Sequence, residues 1–179
     1  MLKIISWNLA RRSDSWRALL ASGADIAVVQ EACEPPPDVA KEIGIDAVPW
    51  TTEGAGMVRS WRTAVVRLNA ALDVQWHSPR SIRDANLGEL AISRIGTLAA
   101  AEVRDPRTTD TFTLVSMYSS WEEPHRSTES GWIYADASAH RLVSDLSVFI
   151  GQQRGHRIIA AGDLNILYGH GEDGSSYWA

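Results

Sequence analysis

The sequence predicts an α+β fold, arranged as a layered sandwich in a single domain over residues 1–179. Strand and helix patterns alternate at both ends of the chain, and short apolar runs separated by turn-forming residues fill the middle. Alternation of this kind is typical of β-α-β units, and the central runs are typical of antiparallel hairpins. The apolar content of 45% is ordinary for a globular domain with its own core.

The N-terminal part predicts a β-α-β unit. Residues 2–8 (LKIISWN) and residues 25–31 (DIAVVQE) are short apolar runs that predict buried strands. Between them, residues 14–22 place apolar side chains at helical spacing, and Gly23 is expected to end that helix. The return through a helix fits two strands of the same sheet.

The central part predicts two hairpins. Residues 61–68 and 72–78 are expected to pair across a short turn, and residues 90–105 are expected to pair with residues 111–119. Residues 51–60 are rich in Gly and Thr and predict a loop.

The C-terminal part predicts the longest helix and one more strand. Residues 135–153 carry their apolar side chains in one stripe of period 3.6, which indicates an amphipathic helix. Residues 156–163 (HRIIAAGD) follow as an apolar run that predicts a strand.

Composition favours a protein of the cytoplasm. Cys33 is the single cysteine, which excludes an internal disulfide and suits a reducing compartment. The N-terminus lacks the pattern of a signal peptide, and no stretch approaches about 18 consecutive apolar residues, so no membrane span is expected. The net charge of −5 argues against broad electrostatic adhesion to nucleic acid.

Polar side chains end four of the predicted strands. Asn8, Glu31, Tyr118 and Asp163 each follow an apolar run, and Asn165 comes two residues after Asp163. Ligands in layered α/β folds often bind outside strand ends, so these groups are expected to converge. Carboxylates near a core require compensation, and their oxygens suit Mg²⁺ or Mn²⁺ rather than zinc. A plain turn would also explain Asp-x-Asn after glycine.

Four segments, ISWNLA, VVQEA, SMY and GDLN, resemble successive motifs of the endonuclease/exonuclease/phosphatase superfamily, which includes DNase I-like nucleases, sphingomyelinases and inositol phosphatases. They occur in order between residues 4 and 169. The resemblance implies a four-layer αββα sandwich of the DNase I-like type, with a metal site between the tops of two sheets. It further implies hydrolysis of a phosphodiester or phosphomonoester by in-line attack of an activated water.

The resemblance also implies roles for five residues. Glu31 would be the principal Mg²⁺ ligand, with Mn²⁺ as an alternative ion, and Asn8 would assist near the same ion. Tyr118 would contact the phosphate and Asp163 would orient or activate the attacking water. Asn165 would bind a phosphate oxygen.

Further candidates for substrate binding lie near these motifs. Fifteen of the 17 basic residues are arginine, whose planar guanidinium suits bidentate phosphate binding. His125 follows Tyr118 in a predicted loop and is a candidate contact, although a solvated loop histidine is the alternative. The arginines that could approach a phosphate, most of them otherwise explained as solvated surface, are Arg11, Arg12, Arg59, Arg62, Arg80 and Arg83.

The sequence departs from the superfamily pattern in one respect. Members end with a Ser-Asp-His motif on a late strand, and no Ser-Asp-His occurs here. The expectation is that the fold is incomplete at its C-terminus, that the chain is weakly active or inactive as a monomer, and that an unpaired sheet edge promotes self-association.

Two functions therefore stay open. The first is a metal-dependent phosphoesterase whose substrate is a phosphate ester, with nucleic acid among the candidates. The second is a truncated, non-catalytic remnant of the fold that serves as a binding or interaction module. A nucleotide-binding module is remote, because no Gly-x-x-x-x-Gly-Lys loop occurs.

Overall fold

The structure is a computed structural model that describes residues 1–54, 57–86, 89–108, 110–119, 135–152 and 157–165. Within these residues the chain forms eleven strands and three helices. The strands are β1 (Ile4–Asn8), β2 (Ile26–Ala32), β3 (Thr52–Gly54), β4 (Met57–Arg59), β5 (Arg62–Arg67), β6 (Asp73–Trp76), β7 (Pro79–Ser81), β8 (Leu90–Ile92), β9 (Leu98–Arg104), β10 (Thr111–Tyr118) and β11 (Ile158–Asp163). The helices are α1 (Ser13–Ala21), α2 (Pro37–Ala40) and α3 (Ala135–Gln152). Among the described residues, no helix is long and apolar enough to cross a membrane.

The first sheet has the strand order β1-β2-β5. β1 and β2 run parallel, with Asn8 beside Gln30 at their carboxyl ends, and β5 runs antiparallel to β2. Helix α1 covers the outer face, where Trp16 and Leu19 are fully buried against apolar side chains of β2 and β5. The expected β-α-β unit is present, and Gly23 follows the helix with a φ of +64°, a conformation that favours glycine.

The second sheet has the strand order β11-β10-β9-β6. β10 and β11 run parallel, with Tyr118 beside Asp163 at their carboxyl ends, and β9 runs antiparallel to both β10 and β6. Helix α3 covers the outer face, where Leu142 and Leu146 pack in the same cluster as Val115. The hairpin expected between residues 90–105 and 111–119 exists as β9 and β10.

The inner faces of the two sheets pack against each other. Ile26, Val28 and Val65 of the first sheet share one buried cluster with Val103 and Leu114 of the second. Each fully buried side chain of this size contributes about 1.5–3 kcal/mol, so this layer is a major source of stability. The order of layers is α1, first sheet, second sheet, α3, which confirms the αββα sandwich of the DNase I-like type.

The prediction that residues 61–68 and 72–78 form a hairpin is wrong. β5 pairs with β2 in the first sheet, whereas β6 pairs with β9 in the second. The side-chain amide of Asn69 donates to the Asp25 carboxylate at 2.7 Å, which fixes the turn to the first sheet. Leu72 then enters the layer between the sheets, and the chain continues in the second sheet. Strand propensity alone does not distinguish this crossover from a hairpin.

Two other segments also differ from expectation. Residues 51–60 contain a short hairpin of β3 and β4 rather than only a loop. Residues 90–105 are divided into β8 and β9, because the chain turns at Gly96 with a φ of +86°. A Cβ atom at Gly96 would lie 3.0 Å from the hydroxyl oxygen of Thr52, so this turn packs tightly under the β3–β4 hairpin.

Among the described residues, β1 lies at one edge of the first sheet and β11 at one edge of the second, and these two strands contact each other across the sandwich. Ile159 of β11 leaves 42% of its surface exposed. An open strand edge offers unpaired backbone groups to another strand. Self-association through such an edge stays a prediction.

A buried ion pair ties the loop before β3 to β5. The guanidinium of Arg62, 1% exposed, contacts the Asp46 carboxylate at 2.8 Å and lies 4.2 Å from the ring centre of Trp50. Trp50 in turn packs edge-on against Trp16 under the first sheet. Burial lowers the pKa of Arg62, and the charge of Asp46 opposes that shift. Arg62, considered above as a phosphate contact, is therefore structural.

We expect Asp46→Ala to destabilise the fold by about 3–5 kcal/mol, because the buried Arg62 charge would lose its partner. Urea denaturation measures the free energy of unfolding. Asp38→Ala is the matched control, since Asp38 pairs with Arg17 on the surface, and it should hardly move the denaturation midpoint. Equal effects of the two variants would contradict a buried role for Asp46.

Candidate active site

The site lies at the carboxyl ends of the parallel strands. The register places Asn8 beside Gln30 in the first sheet and Tyr118 beside Asp163 in the second, and Glu31 follows Gln30 directly. Since the two sheets pack face to face, these four strand ends meet at one end of the sandwich. The structure thus brings together Asn8, Glu31, Tyr118 and Asp163, as the strand-end pattern predicts.

The carboxamide of Asn8 joins two acidic side chains from different sheets. Its Nδ2 donates to Asp163 Oδ2 at 2.7 Å and lies 3.4 Å from Glu31 Oε1. Its Oδ1 accepts from the backbone N–H of Ala10 at 2.9 Å, which fixes the amide orientation. In this arrangement Asn8 presents N–H groups to the carboxylates rather than an oxygen to a cation. A ligand role for Asn8 stays a prediction.

Glu31 sits on an irregular part of β2. Its φ is +45°, and the pairing of β2 with β5 shifts register between Val29 and Ala32, as in a β-bulge. The Glu31 side chain is only 17% exposed, and its Oε2 accepts from Arg11 Nε at 2.8 Å. The backbone N–H of Arg11 also donates to the Glu31 carbonyl at 2.9 Å. Arg11, expected to bind substrate, lies at the site as a partner of Glu31.

Asp163 and Asn165 form a turn whose geometry also serves the site. The backbone N–H of Asn165 donates to Asp163 Oδ1 at 3.1 Å, so the Asx turn considered from the sequence is present. The other carboxylate oxygen, Oδ2, still faces Asn8. The side-chain amide of Asn165 donates to the Ser119 carbonyl at 2.6 Å, and the N–H of Ser119 donates to the Asp163 carbonyl at 2.9 Å. Asp163 therefore closes the Asx turn with one carboxylate oxygen and contacts Asn8 with the other.

Gly162 is required by the close approach of β11 to β10. A Cβ atom added at Gly162 would overlap the backbone carbonyl of Met117. Any side chain there would push β11 away and displace Asp163, the next residue. This explains the glycine in the Gly-Asp-x-Asn segment physically.

Tyr118 is buried between the acidic pair and an indole. Its ring lies 4.9 Å from the Trp61 ring, centre to centre, in an edge-on arrangement. Burial raises the pKa of Tyr118 above its ordinary value, and the charge of Glu31 adds to this shift. The charge of Asp163 also raises it, whereas Arg59 and Arg11 oppose the increase. The phenol is thus held neutral within the field of two carboxylates.

Backbone strain concentrates at this end of the molecule. Among the described residues, the non-glycine residues with positive φ are Ala10 (+50°), Arg11 (+61°), Glu31 (+45°) and Asn165 (+51°). Left-handed backbone is unfavourable for such residues by about 1–2 kcal/mol each. Each of the four belongs to the site or is a chain neighbour of a site residue. Strain of this kind is typical of functional sites.

Sequence reasoning missed a buried polar link beneath the site. Gln30 Nε2 lies 3.1 Å from Ser116 Oγ, which in turn donates to the Val29 carbonyl at 2.8 Å. Both side chains are almost fully buried, so the link joins the sheets where water is excluded. The signal was present, since Gln30 and Ser116 each interrupt an otherwise apolar run. His125, the other expected substrate contact, lies outside the described residues.

The chemistry of the donor set fits a hard cation. Glu31 and Asp163 supply carboxylate oxygens, and Mg²⁺ typically takes only one or two protein carboxylates together with water and phosphate oxygens. Among the described residues, no group of three or more His, Cys, Asp or Glu side chains is placed to hold a metal ion.

A pocket lies away from this site. A polar depression of about 370 Å³ is lined by Asp73, Gln75, Glu102, Arg104 and Thr111, at the far end of the second sheet from Tyr118. It contains none of the strand-end residues described above.

Comparison with solved structures identifies the fold. No family model matches the sequence, and a search of curated proteins gave no match. An endonuclease/exonuclease/phosphatase family protein from Bacteroides thetaiotaomicron is similar at a TM-score of 0.55 and 13% identity, over 95% of this chain and 66% of that one. A mannosyl-6-phosphatase from the same organism gives a TM-score of 0.55 at 13% identity, over 93% of this chain and 66% of that one. D. rerio TDP2, crystallised with a single-strand DNA product, gives 0.51 at 16% identity, over 93% and 61%.

The resemblance to the endonuclease/exonuclease/phosphatase superfamily is thus confirmed at the level of the fold. The chain spans about 61–66% of the length of these three structures.

Replacing the strained Ala10 tests whether the left-handed loop is intrinsic to the fold. We expect Ala10→Gly to raise the free energy of unfolding by up to about 1 kcal/mol, because glycine adopts positive φ without steric strain. Ala18→Gly, at an exposed position of α1, should instead lower it by about 1 kcal/mol. Chemical denaturation measures both, and the same sign for the two variants would contradict the described loop.

The pKa of Tyr118 reports the proximity of Glu31. Because the folded pKa is raised, this group favours the folded state below about pH 10 and that contribution is lost as the pH rises through the folded pKa. Glu31→Gln should lower the pKa of Tyr118, since it removes a repulsive charge. The ultraviolet titration of Tyr118→Phe is subtracted from that of the wild-type chain, which isolates the signal of this phenol. Asp38→Asn, a charge removal away from the site, serves as the control. An unchanged pKa of Tyr118 in Glu31→Gln would contradict the close approach of the Glu31 carboxylate to the phenol.

Proposed function

We propose that the chain is a metal-dependent phosphoesterase that hydrolyses a phosphodiester or phosphomonoester by in-line attack of water. One observation supports this above the others. Asn8, Glu31 and Asp163, from strands of two different sheets, meet in hydrogen-bonded contact at one end of a DNase I-like sandwich. Solved structures with this fold include a mannosyl-6-phosphatase and a TDP2 bound to a single-strand DNA product, which supports phosphate ester chemistry in general.

Glu31 would hold the cation, Mg²⁺ in preference to Mn²⁺. Its carboxylate is largely buried, and Arg11 pairs with one of its two oxygens. A divalent ion bound there would polarise a phosphoryl oxygen and offset the charge that develops in the transition state. Asn8 would keep the Glu31 and Asp163 carboxylates at a fixed separation through its N–H groups.

Asp163 would orient the attacking water. Its Oδ1 is held by the Asn165 backbone, so the direction of the carboxylate is set by the turn rather than by free rotation. Tyr118 would donate a hydrogen bond to the phosphate through its phenol, which is neutral at pH 7 and whose pKa is raised further by burial. Asn165 would complete the phosphate contacts with the amide hydrogen that does not reach Ser119.

The substrate class stays at the level of a phosphate ester. The related structures act on, or are bound to, a sugar phosphate in one case and single-strand DNA in another. A nucleic acid substrate would bind through a local patch, because the net charge of −5 provides no broad attraction. The proposed location is the cytoplasm.

A variant of Glu31 tests this function. We expect weak but Mg²⁺-dependent hydrolysis of bis-p-nitrophenyl phosphate or p-nitrophenyl phosphate by the purified chain. Glu31→Gln should reduce it at least about 100-fold, because even outer partners of a metal contribute about 10- to 100-fold. Thermal denaturation should show that the variant stays folded.

Glu34→Gln is the matched control, since Glu34 is exposed three residues further along the chain, and it should retain full activity. Retained activity in Glu31→Gln would overturn the ligand assignment. A wild-type chain without metal-dependent hydrolysis would favour the alternative, a non-catalytic module that keeps the fold for binding.

A further inference from the structure

Arg11 pairs with the carboxylate that is proposed to hold the cation. Its Nε donates to Glu31 Oε2 at 2.8 Å, and the other carboxylate oxygen, Oε1, lies 3.4 Å from Asn8 Nδ2. Both oxygens of Glu31 therefore already face an N–H group. A divalent cation bound to Glu31 would use the same negative charge that the Arg11 guanidinium neutralises.

The described charges that act on Tyr118 balance one another. Glu31 and Asp163 contribute two negative charges, and Arg11 and Arg59 contribute two positive charges. A divalent ion that enters this neutral group is attracted by Glu31 and repelled by the guanidinium beside it, because both forces act over a few ångströms. The ion therefore experiences the full attraction of the Glu31 carboxylate only after Arg11 has moved away from it.

The Arg11 side chain has room to leave Glu31 without a change in the backbone. It is 57% exposed, whereas the Glu31 side chain is 17% exposed, so the guanidinium is the partner that borders on solvent. The backbone N–H of Arg11 donates to the Glu31 carbonyl at 2.9 Å, a contact that does not involve the side chain. The guanidinium carbon also lies 5.0 Å from the ring centre of Trp61, and this cation–π contact attracts the arginine independently of Glu31.

We propose that Arg11 is an internal competitor of the divalent cation, which pairs with Glu31 until a cation binds and then releases this carboxylate. The inference rests on the proposed function and adds to it a control of metal occupancy. Its consequence is that the chain binds Mg²⁺ or Mn²⁺ more weakly than the same carboxylates would without Arg11. The arginine thus sets the cation concentration at which the site fills.

Cation binding measured without substrate tests the inference apart from catalysis. Mn²⁺ is titrated into the purified chain, and the free ion is measured by electron paramagnetic resonance. Arg11→Gln should bind Mn²⁺ at least about tenfold more tightly than the wild-type chain, because a competing positive charge next to the ion is removed. The double variant Arg11→Gln/Glu31→Gln should lose this gain, since the competition takes place at the Glu31 carboxylate.

The matched control is Arg17→Gln. Arg17 is 53% exposed and pairs with a carboxylate, that of Asp38, so its removal changes the net charge and breaks an ion pair in the same way. It should leave the affinity for Mn²⁺ unchanged. A measurement on the wild-type chain keeps the test decisive if Arg11→Gln fails to fold. Saturation with Mg²⁺ should shift the Nε–H nuclear magnetic resonance signal of Arg11, assigned through Arg11→Lys, and leave that of Arg17 in place.

The outcomes separate this inference from the proposed function. Unchanged or weaker binding in a folded Arg11→Gln, an equal gain in Arg17→Gln, or an Arg11 signal that Mg²⁺ does not move would overturn the inference and leave Glu31 as a ligand. Binding that persists in Glu31→Gln, or no binding in any variant, would overturn both the inference and the ligand assignment. If Arg11→Gln tightens binding at Glu31 but the chain shows no hydrolysis, the competition stands and the catalytic proposal fails.

Discussion

The hydrogen bonds of one carboxamide hold the candidate site together. Asn8 donates to Asp163 at 2.7 Å and approaches Glu31 at 3.4 Å, so an amide at the edge of the first sheet separates two carboxylates from different sheets. Without a donor between them, two neighbouring carboxylates would repel each other. The backbone next to this contact is also unusual, because Ala10, Arg11 and Glu31 adopt left-handed conformations.

The layers of the sandwich position this contact. Parallel pairing of β1 with β2 and of β10 with β11 brings four carboxyl ends to the same side, and the apolar layer between the sheets fixes their separation. The Gln30–Ser116 link lies just beneath, and Gly162 lets β11 approach β10 closely enough to place Asp163. Beside this centre, Arg11 contacts both the Glu31 carboxylate and the Trp61 ring, so the acidic pair is flanked by a cation and an indole.

Most of the fold could be predicted from the sequence, because period-2 and period-3.6 apolar patterns reflect burial directly. The strand-end residues Asn8, Glu31, Tyr118 and Asp163 could likewise be found, since each interrupts the end of an apolar run. The partner of β5 could not be predicted, because strand propensity is the same for a hairpin and a crossover. Contacts distant in sequence, such as that between Asn69 and Asp25, are not visible in the local pattern. Arg59 and Arg62 look alike in sequence, yet Arg62 forms a buried ion pair with Asp46, whereas the guanidinium of Arg59 lies over the ring of Trp61.

A double-mutant cycle between Asn8→Ala and Asp163→Ala tests the central claim most directly. The free energy of unfolding is measured for the wild-type chain, both single variants and the double variant. A direct charge-assisted hydrogen bond between the two side chains predicts a coupling energy of about 1 kcal/mol or more. Additive effects within about 0.3–0.5 kcal/mol would show that Asn8 and Asp163 act independently, and the account of a single site joining both sheets would be wrong.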